Sequence, residues 1–300
     1  NEGKNNLRKG IAPPESSHPE YNVHCDDIDY QIEADYSGII APGLPAVPIE
    51  LGEKFGRLMN YGDGMYAGQF VGAMYSEAYF ETNMEKIVEA GLESIPEQSL
   101  YAQVIRDVLD WYRADPENWQ KTWNQVEEKY YNSYEFQPFA SENEKVWLPI
   151  DSKINGAYIV MGLLYGKGDI DSTIVISMRC GKDSDCNPSN AAGILFTSIG
   201  YQNLPDRFKS ELKTNIKFSH TDYDFNKLVK VCEDLTREFL LKYGGRILEE
   251  EGSETFYIPK TETKVSGFQA SWNPGPFDPD NLYSPEEMAE IRYEPVAPGN

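Results

Sequence analysis

The sequence predicts a mainly helical domain with a small β-rich appendage at its C-terminal end. Three observations predict it. Apolar residues recur at helical spacing through most of residues 51–245. Pro and Gly close those runs. After about residue 246 the pattern turns β-like and turn-rich. We therefore divide the chain into a helical domain, 1–245, and an extension, 246–300. There is no internal repeat.

The elements come in this order. Residues 1–50 are rich in Pro and Gly, and APPESSHPEYN and IAPGLPAVP read as loops. Residues 51–95 look helical. In NMEKIVEAGLESIP, Ile87, Val88, Gly91, Leu92 and Ile95 share a stripe that Pro96 closes. Leu100, Val104, Val108 and Trp111 repeat the pattern, flanked by Leu109 and Tyr112. DPENWQKTWNQVEEKY starts like a helix, with Asp115 as N-cap and Pro116 at its first position. Residues 132–151 are irregular. Ile154, Ala157, Tyr158, Met161, Leu164 and Tyr165 then predict a helix ended by Gly166 and Gly168. DSTIVISMRC is β-branched and leaves helix and strand open. NAAGILFTSIGYQNLP is small and apolar, stopped by Pro205. DFNKLVKVCEDLTREFLLKYGG predicts an amphipathic helix. Its stripe is Leu228, Val231, Leu235, Phe239 and Leu240, and it exits through Gly244 and Gly245. FYIPKTETKVSGFQASW is β-like and NPGPFDPDNLYSPEEM turn-rich.

At 300 residues and 40% hydrophobic, the chain can bury a core as one large domain or two modest ones. A net charge of −22 argues against nucleic acid, whose phosphates demand Lys and Arg. It argues equally against anionic membrane surfaces. It suits a soluble protein that holds cations. No apolar run reaches the roughly 18 residues that a membrane span needs, so no membrane insertion is expected. No signal peptide is visible, yet the chain begins at Asn1, which leaves upstream processing and export open. Cys25, Cys180, Cys186 and Cys232 form no CxxC pair, which speaks against a disulfide framework or a zinc site.

The richest stretch is MRCGKDSDCNPSNAAGILF, with Asp183 and Asp185 one residue apart before a helix-like run. Carboxylates at this spacing can face one hard cation in irregular backbone or at a helix start. The helix N-terminus offers free N–H groups to an anion such as phosphate. The same residues also make a turn and a helix cap. Both readings stand. His24 beside Cys25 shows no paired nucleophile and base. His18 and His220 read as surface residues, and Trp111, Trp119 and Trp123 as core more than as a sugar platform.

The stretch from Asn155 to Phe208, with its CGKDSDCNPSNAAG motif, resembles the C-terminal half of the ADP-ribosylglycohydrolase family. The segment from Glu33, EADYSGIIAPGLPAVPIELGEKFGRLMNYGDGMYAGQFVGAMYSEAYF, resembles its middle portion. The resemblance covers roughly residues 5–210, and the paired-Asp motif is its most specific part. It implies an all-α fold, one or two Mg²⁺ ions, and hydrolysis of the glycosidic bond of an ADP-ribosyl group. By the resemblance, Asp183 and Asp185 are metal ligands. Cys186 stands beside them where the family has Thr or Ser, and a thiol is a poor ligand for Mg²⁺. Lys182 stands where Gly is common. HCDDIDYQ offers Asp26 and Asp27 as further ligands. The residues around them resemble the part of the family that lies after its first metal motif, so the helical domain is expected to lack its N-terminal part. Glu33 and Asp35 are the candidate catalytic carboxylates. Asp63 and Tyr66, in a predicted Gly-rich loop, and Asn187 are candidate substrate contacts.

The expected activity is a Mg²⁺-dependent hydrolase of ADP-ribosylated substrates. Two alternatives keep the fold: a glycosidase acting on another pentoside or on a glycan, and a catalytically silent binding protein.

Overall fold

The computed structural model describes residues 2–132, 150–260 and 263–270. The expected turn-rich stretch at 273–288, and nearly all of the irregular stretch at 132–151, lie outside them. The described chain is mostly helical, with one two-stranded antiparallel sheet near its C-terminal end.

Two long helices carry the core. Asp63–Ala78 (here α5) is buried at every residue except Glu77. Ser152–Gly166 (here α9) is buried at every residue. The apolar stripe predicted for α9 is therefore only part of it. The helix has no solvent face, because α5, Met84–Leu92 (α6), Leu100–Ala114 (α7), Trp119–Val126 (α8), Ile170–Cys180 (α10) and Cys186–Ile199 (α11) surround it. A helix apolar on all sides belongs in such an interior. Ahead of α5 come Glu2–Arg8 (α1), Asp29–Glu33 (α2), Asp35–Ile39 (α3) and Ala46–Phe55 (α4). The stretch read as loop over residues 1–50 thus holds short helices, and IAPGLPAVP runs into the start of α4.

Gly64, Gly68 and Gly72 form a stripe on α5 with a spacing of four. A Cβ on Gly64 would meet the Cys25 carbonyl at 2.4 Å, and one on Gly68 would meet the Tyr30 ring at 2.2 Å. The stripe lets the chain from Cys25 through α3 lie directly on α5. That approach brings Asp26 and Asp27 to the middle of the molecule.

One open reading is resolved and two expectations are corrected. The ambiguous DSTIVISMRC is helix α10, and the Asp169 side chain caps it by accepting the Ser172 N–H. The helix expected to start at Asp115 starts at Trp119. Its cap is Asn118, whose side chain accepts the Lys121 N–H, because the Asp115 N–H is already bonded to Trp111 and Tyr112 at the end of α7. His18, read as a surface residue, is buried against Tyr61.

Phe225–Lys242 (α12) docks Leu235 and Phe239 onto a second apolar cluster of Ile40, Ala41, Leu44, Val47 and Leu51. Lys242 and Tyr243 also hydrogen-bond Glu50 on α4. The hairpin comes next: Arg246–Glu250 (β1) pairs with Ser253–Tyr257 (β2). The β character expected through FYIPKTETKVSGFQASW ends at Tyr257 among the named strands. Residues 263–270 instead lie along α5. There the Tyr66 hydroxyl donates to the Gly267 carbonyl and accepts the Gln269 N–H, both at 2.7 Å. Gln69 reaches Ser266 and Arg57 reaches Gln269. Among the described residues no helix is long and apolar enough to cross a membrane.

Candidate functional site

Two acidic groups, distant in sequence, meet on the first turn of α9. The first is carried by the segment before α2. Residues 26–28 run beside residues 150–152, with Ile28 N donating to Ile150 O and Ser152 N to Asp26 O. Asp151 caps α9, accepting from the N–H groups of Lys153 and Ile154. Lys153 is fully buried, and its ammonium lies 2.8 Å from Asp26 and 2.9 Å from Asp151. Burial disfavours that charge, but Asp151 and Asp26 outweigh it and hold the lysine well above its ordinary pKa. Burial, with Asp26 and Asp151 beside it, pushes Asp27 up to about 8. Asp27 Oδ2 sits 3.0 Å from His24 Nδ1.

The second group is the loop between α10 and α11. Asn155, two residues beyond Lys153, accepts the Asp183 N–H at 3.1 Å and the Asn187 side-chain N–H at 2.8 Å. Gly181 at φ +90° and Lys182 at φ +59° turn the chain through left-handed backbone. A lysine there costs roughly 1–2 kcal/mol that a glycine does not. Asp183 Oδ1 accepts the Cys186 N–H, so it helps to start α11, while the Asp185 side chain makes no cap bond. Half of the capping reading is thus realised, and by the earlier aspartate.

The carboxylates of Asp183 and Asp185 and the Cys186 thiol bring ligand atoms within 4.8 Å of one another. Asp185 is exposed and the other two half-buried. Asn187 Oδ1 and Asp27 Oδ1 are buried oxygens without a hydrogen-bond partner. Convergent carboxylates open to water fit a hard divalent cation. The thiol fits less well. Burial, then the neighbouring Asp183, pushes it up to about 11, so it stays protonated at neutral pH and hydrogen-bonds Asp183.

The other expected residues are spread around this centre. Glu33 is exposed at the end of α2, a helix that touches both α5 and α11. Partial desolvation and Asp29 raise its pKa. Asp35 opens α3, accepts the Tyr36 N–H at 2.7 Å, and is raised by burial. The predicted Gly-rich loop at Asp63 and Tyr66 is instead the first turn of α5. Asp63 is buried there and accepts the Tyr101 N–H at 2.9 Å. Tyr66 is buried as well, its hydroxyl engaged by residues 267 and 269.

Asp151, Lys153 and Asn155 were not singled out from the sequence. The available signal was DSKIN, a charged cluster opening a helix that is otherwise apolar. Lys182 stood out only as a departure from Gly. Its ammonium points away from the aspartates, to Glu127 at 3.3 Å and over the Tyr131 ring at 3.2 Å.

A family model described as ADP-ribosylglycohydrolase matches residues 5–244. Neither a curated protein nor a solved structure matches the chain.

Proposed function

The chain belongs to the ADP-ribosylglycohydrolase family, and on that premise we propose that it is a divalent-cation-dependent hydrolase that cleaves an N- or O-glycosidic bond of an ADP-ribosyl group. The observation that carries the reading is the convergence of Asp183 and Asp185 at the start of α11, with Asn155 fixing the loop to the same helix turn that holds Asp26 through Lys153.

In this reading Asp183 and Asp185 hold Mg²⁺, while Asp26, paired with Lys153, and Asp27, beside His24, belong to the closed group and are not among the ligands. Cys186 keeps its proton and orients Asp183. When bound, the cation orients ribose hydroxyls and polarises water. Hydrolysis at an anomeric carbon passes through an oxocarbenium-like state and needs a base for the attacking water. Glu33 and Asp35 are the candidates, both raised toward neutrality by desolvation. Asn187, whose buried Oδ1 lacks a hydrogen-bond partner, is the candidate substrate contact, whereas Asp63 is committed to the Tyr101 N–H in the interior. Lys182 and Cys186, which depart from the family pattern, support a second reading on the same fold, with another pentoside or a glycan as substrate.

The test is thermal unfolding of the full chain with EDTA, with Mg²⁺, and with Mg²⁺ plus ADP-ribose. Binding at about 100 times Kd stabilises the folded state by about 2.7 kcal/mol. The midpoint should rise with Mg²⁺ and rise again with ADP-ribose, and Asp183→Asn should abolish the first step. A rise with Mg²⁺ alone moves the assignment to another sugar. No rise in the unsubstituted chain refutes the proposal.

A further inference from the structure

A lysine inside a cation-binding loop is a competitor for the cation. Its ammonium seeks the same carboxylate oxygens, and adjacent to Asp183 it needs no partner from elsewhere in the fold to reach them. Lys182 holds that position, in a left-handed conformation that suits glycine. The structure shows where its charge goes. The side chain is turned onto the turn that succeeds α8, where Glu127–Tyr131 widens into a π-helical turn. Glu127 Oε2 lies 3.3 Å from the ammonium, and the Tyr131 ring lies under it. Both members of the ion pair are mostly buried, at 16% and 14% exposure, so solvent screens them weakly.

Glu127 is itself held. Its other carboxylate oxygen accepts the hydroxyl of Tyr158, on the buried face of α9. One turn earlier on α8, the Trp123 indole N–H donates to the Cys180 carbonyl at 2.7 Å, at the last residue of α10. Trp123 and Glu127, four apart, thus grip the loop at its entrance and at Lys182. A π turn is a frequent companion of functional sites because it re-aims side chains that an α-helix would place elsewhere.

Resting on the cation-binding reading above, we propose that Glu127 is a positioning residue for the paired-aspartate loop: it sequesters the Lys182 ammonium and so leaves Asp183 and Asp185 to a divalent cation. Removing the Glu127 charge frees the lysine to pair with its aspartate neighbours. Removing the lysine as well takes the competitor away.

The experiment is calorimetric titration of the full chain with MgCl₂ and with MnCl₂, alongside melting curves. The variants are Glu127→Gln, Lys182→Gly and the double substitution. Gln keeps an acceptor for Tyr158, and Gly suits the φ of residue 182. Glu127→Gln should weaken cation binding by about tenfold or more, the scale of an outer-shell change at a metal site. Lys182→Gly should bind at least as tightly as the unsubstituted chain. The double variant should return to within a few-fold of it. A merely structural role for Glu127 predicts no such rescue. Unchanged binding in Glu127→Gln, weaker binding in Lys182→Gly, or an unrescued double variant each overturns the inference. An unsubstituted chain that binds neither cation overturns the reading beneath it instead.

Discussion

At Asp26 and Asp151 two carboxylates close on one lysine, and water is largely excluded from all three side chains. At Asp183 and Asp185 two carboxylates stand partly in solvent, and no lysine or arginine among the described residues pairs with them. Both groups rest on the same turn of α9, so the contrast is not one of location. It lies in how charge is balanced. The closed group carries its own counter-ion and is committed to the fold. The open group has its nearest ammonium drawn aside, and its charge is left for something that arrives from solution. An acidic cluster is thus a candidate cation site in proportion to how little of its charge the protein has already neutralised.

The largest test of this contrast acts on the closed side. Lys153→Met removes the counter-ion and leaves Asp26, Asp151 and Asp63 without it. Breaking one partner of a buried pair costs about 3–5 kcal/mol, and denaturant unfolding in EDTA should show a loss of that size. A change below about 1 kcal/mol would mean that the group is far more hydrated than its burial indicates.

Next comes the pH response of the interior. Burial pushes Asp63 up to about 6, against the opposing effects of Lys153 and the Tyr101 N–H. Because the folded pKa lies above the ordinary carboxylate value, the folded state binds the proton more tightly. The stability this confers is complete below about pH 4 and is lost as pH rises through about 6. One proton sets a slope no steeper than about 1.4 kcal/mol per pH unit. Asp63→Asn keeps an acceptor for Tyr101 and should flatten unfolding free energies across that window. An unaltered slope would assign it to another group.

The smallest effect belongs to the open side. In EDTA, Asp185→Asn should change stability by no more than about 0.5 kcal/mol, since an exposed side chain without a cap bond or ion pair supports little. With Mg²⁺ present the same substitution should remove cation-dependent stabilisation. The pair of measurements separates a binding role from a folding one.

Much of this is legible in the sequence. The stripes of α6 and α7 are written in local spacing and survive into the structure, whereas of the α12 stripe Leu235, Phe239 and Leu240 pack and Leu228 is exposed. Asp183 and Asp185 are legible as a motif because both readings of them, cap and ligand, need adjacent residues only. The features that escape depend on contact. Nothing around Lys153 announces that Asp26, far back in the chain, will close on it. Glu127 looks like an ordinary surface charge, and Lys182 stands out only as a departure from Gly, until the end of α8 is laid across the loop. Asp115 misleads because Asp-Pro is a strong start signal, and only the two bonds that its N–H makes to α7 show it to be an ending. Tyr66 looks like a loop residue because Gly62 and Gly64 flank its helix start, whereas Gly64 is small to admit the chain at Cys25.

The contacts of residues 263–270 bear on where this protein stops being one object. The family match covers residues 5–244, and a fragment made to that measure would look whole on a family map. It would not be whole chemically. Tyr66 and Gln69 are sealed in the interior, and each spends a hydrogen bond on the later segment, while Arg57 would keep Glu53 and forfeit Gln269. Ancestry and cohesion therefore draw different outlines around the same chain, and anyone cutting it should respect the second.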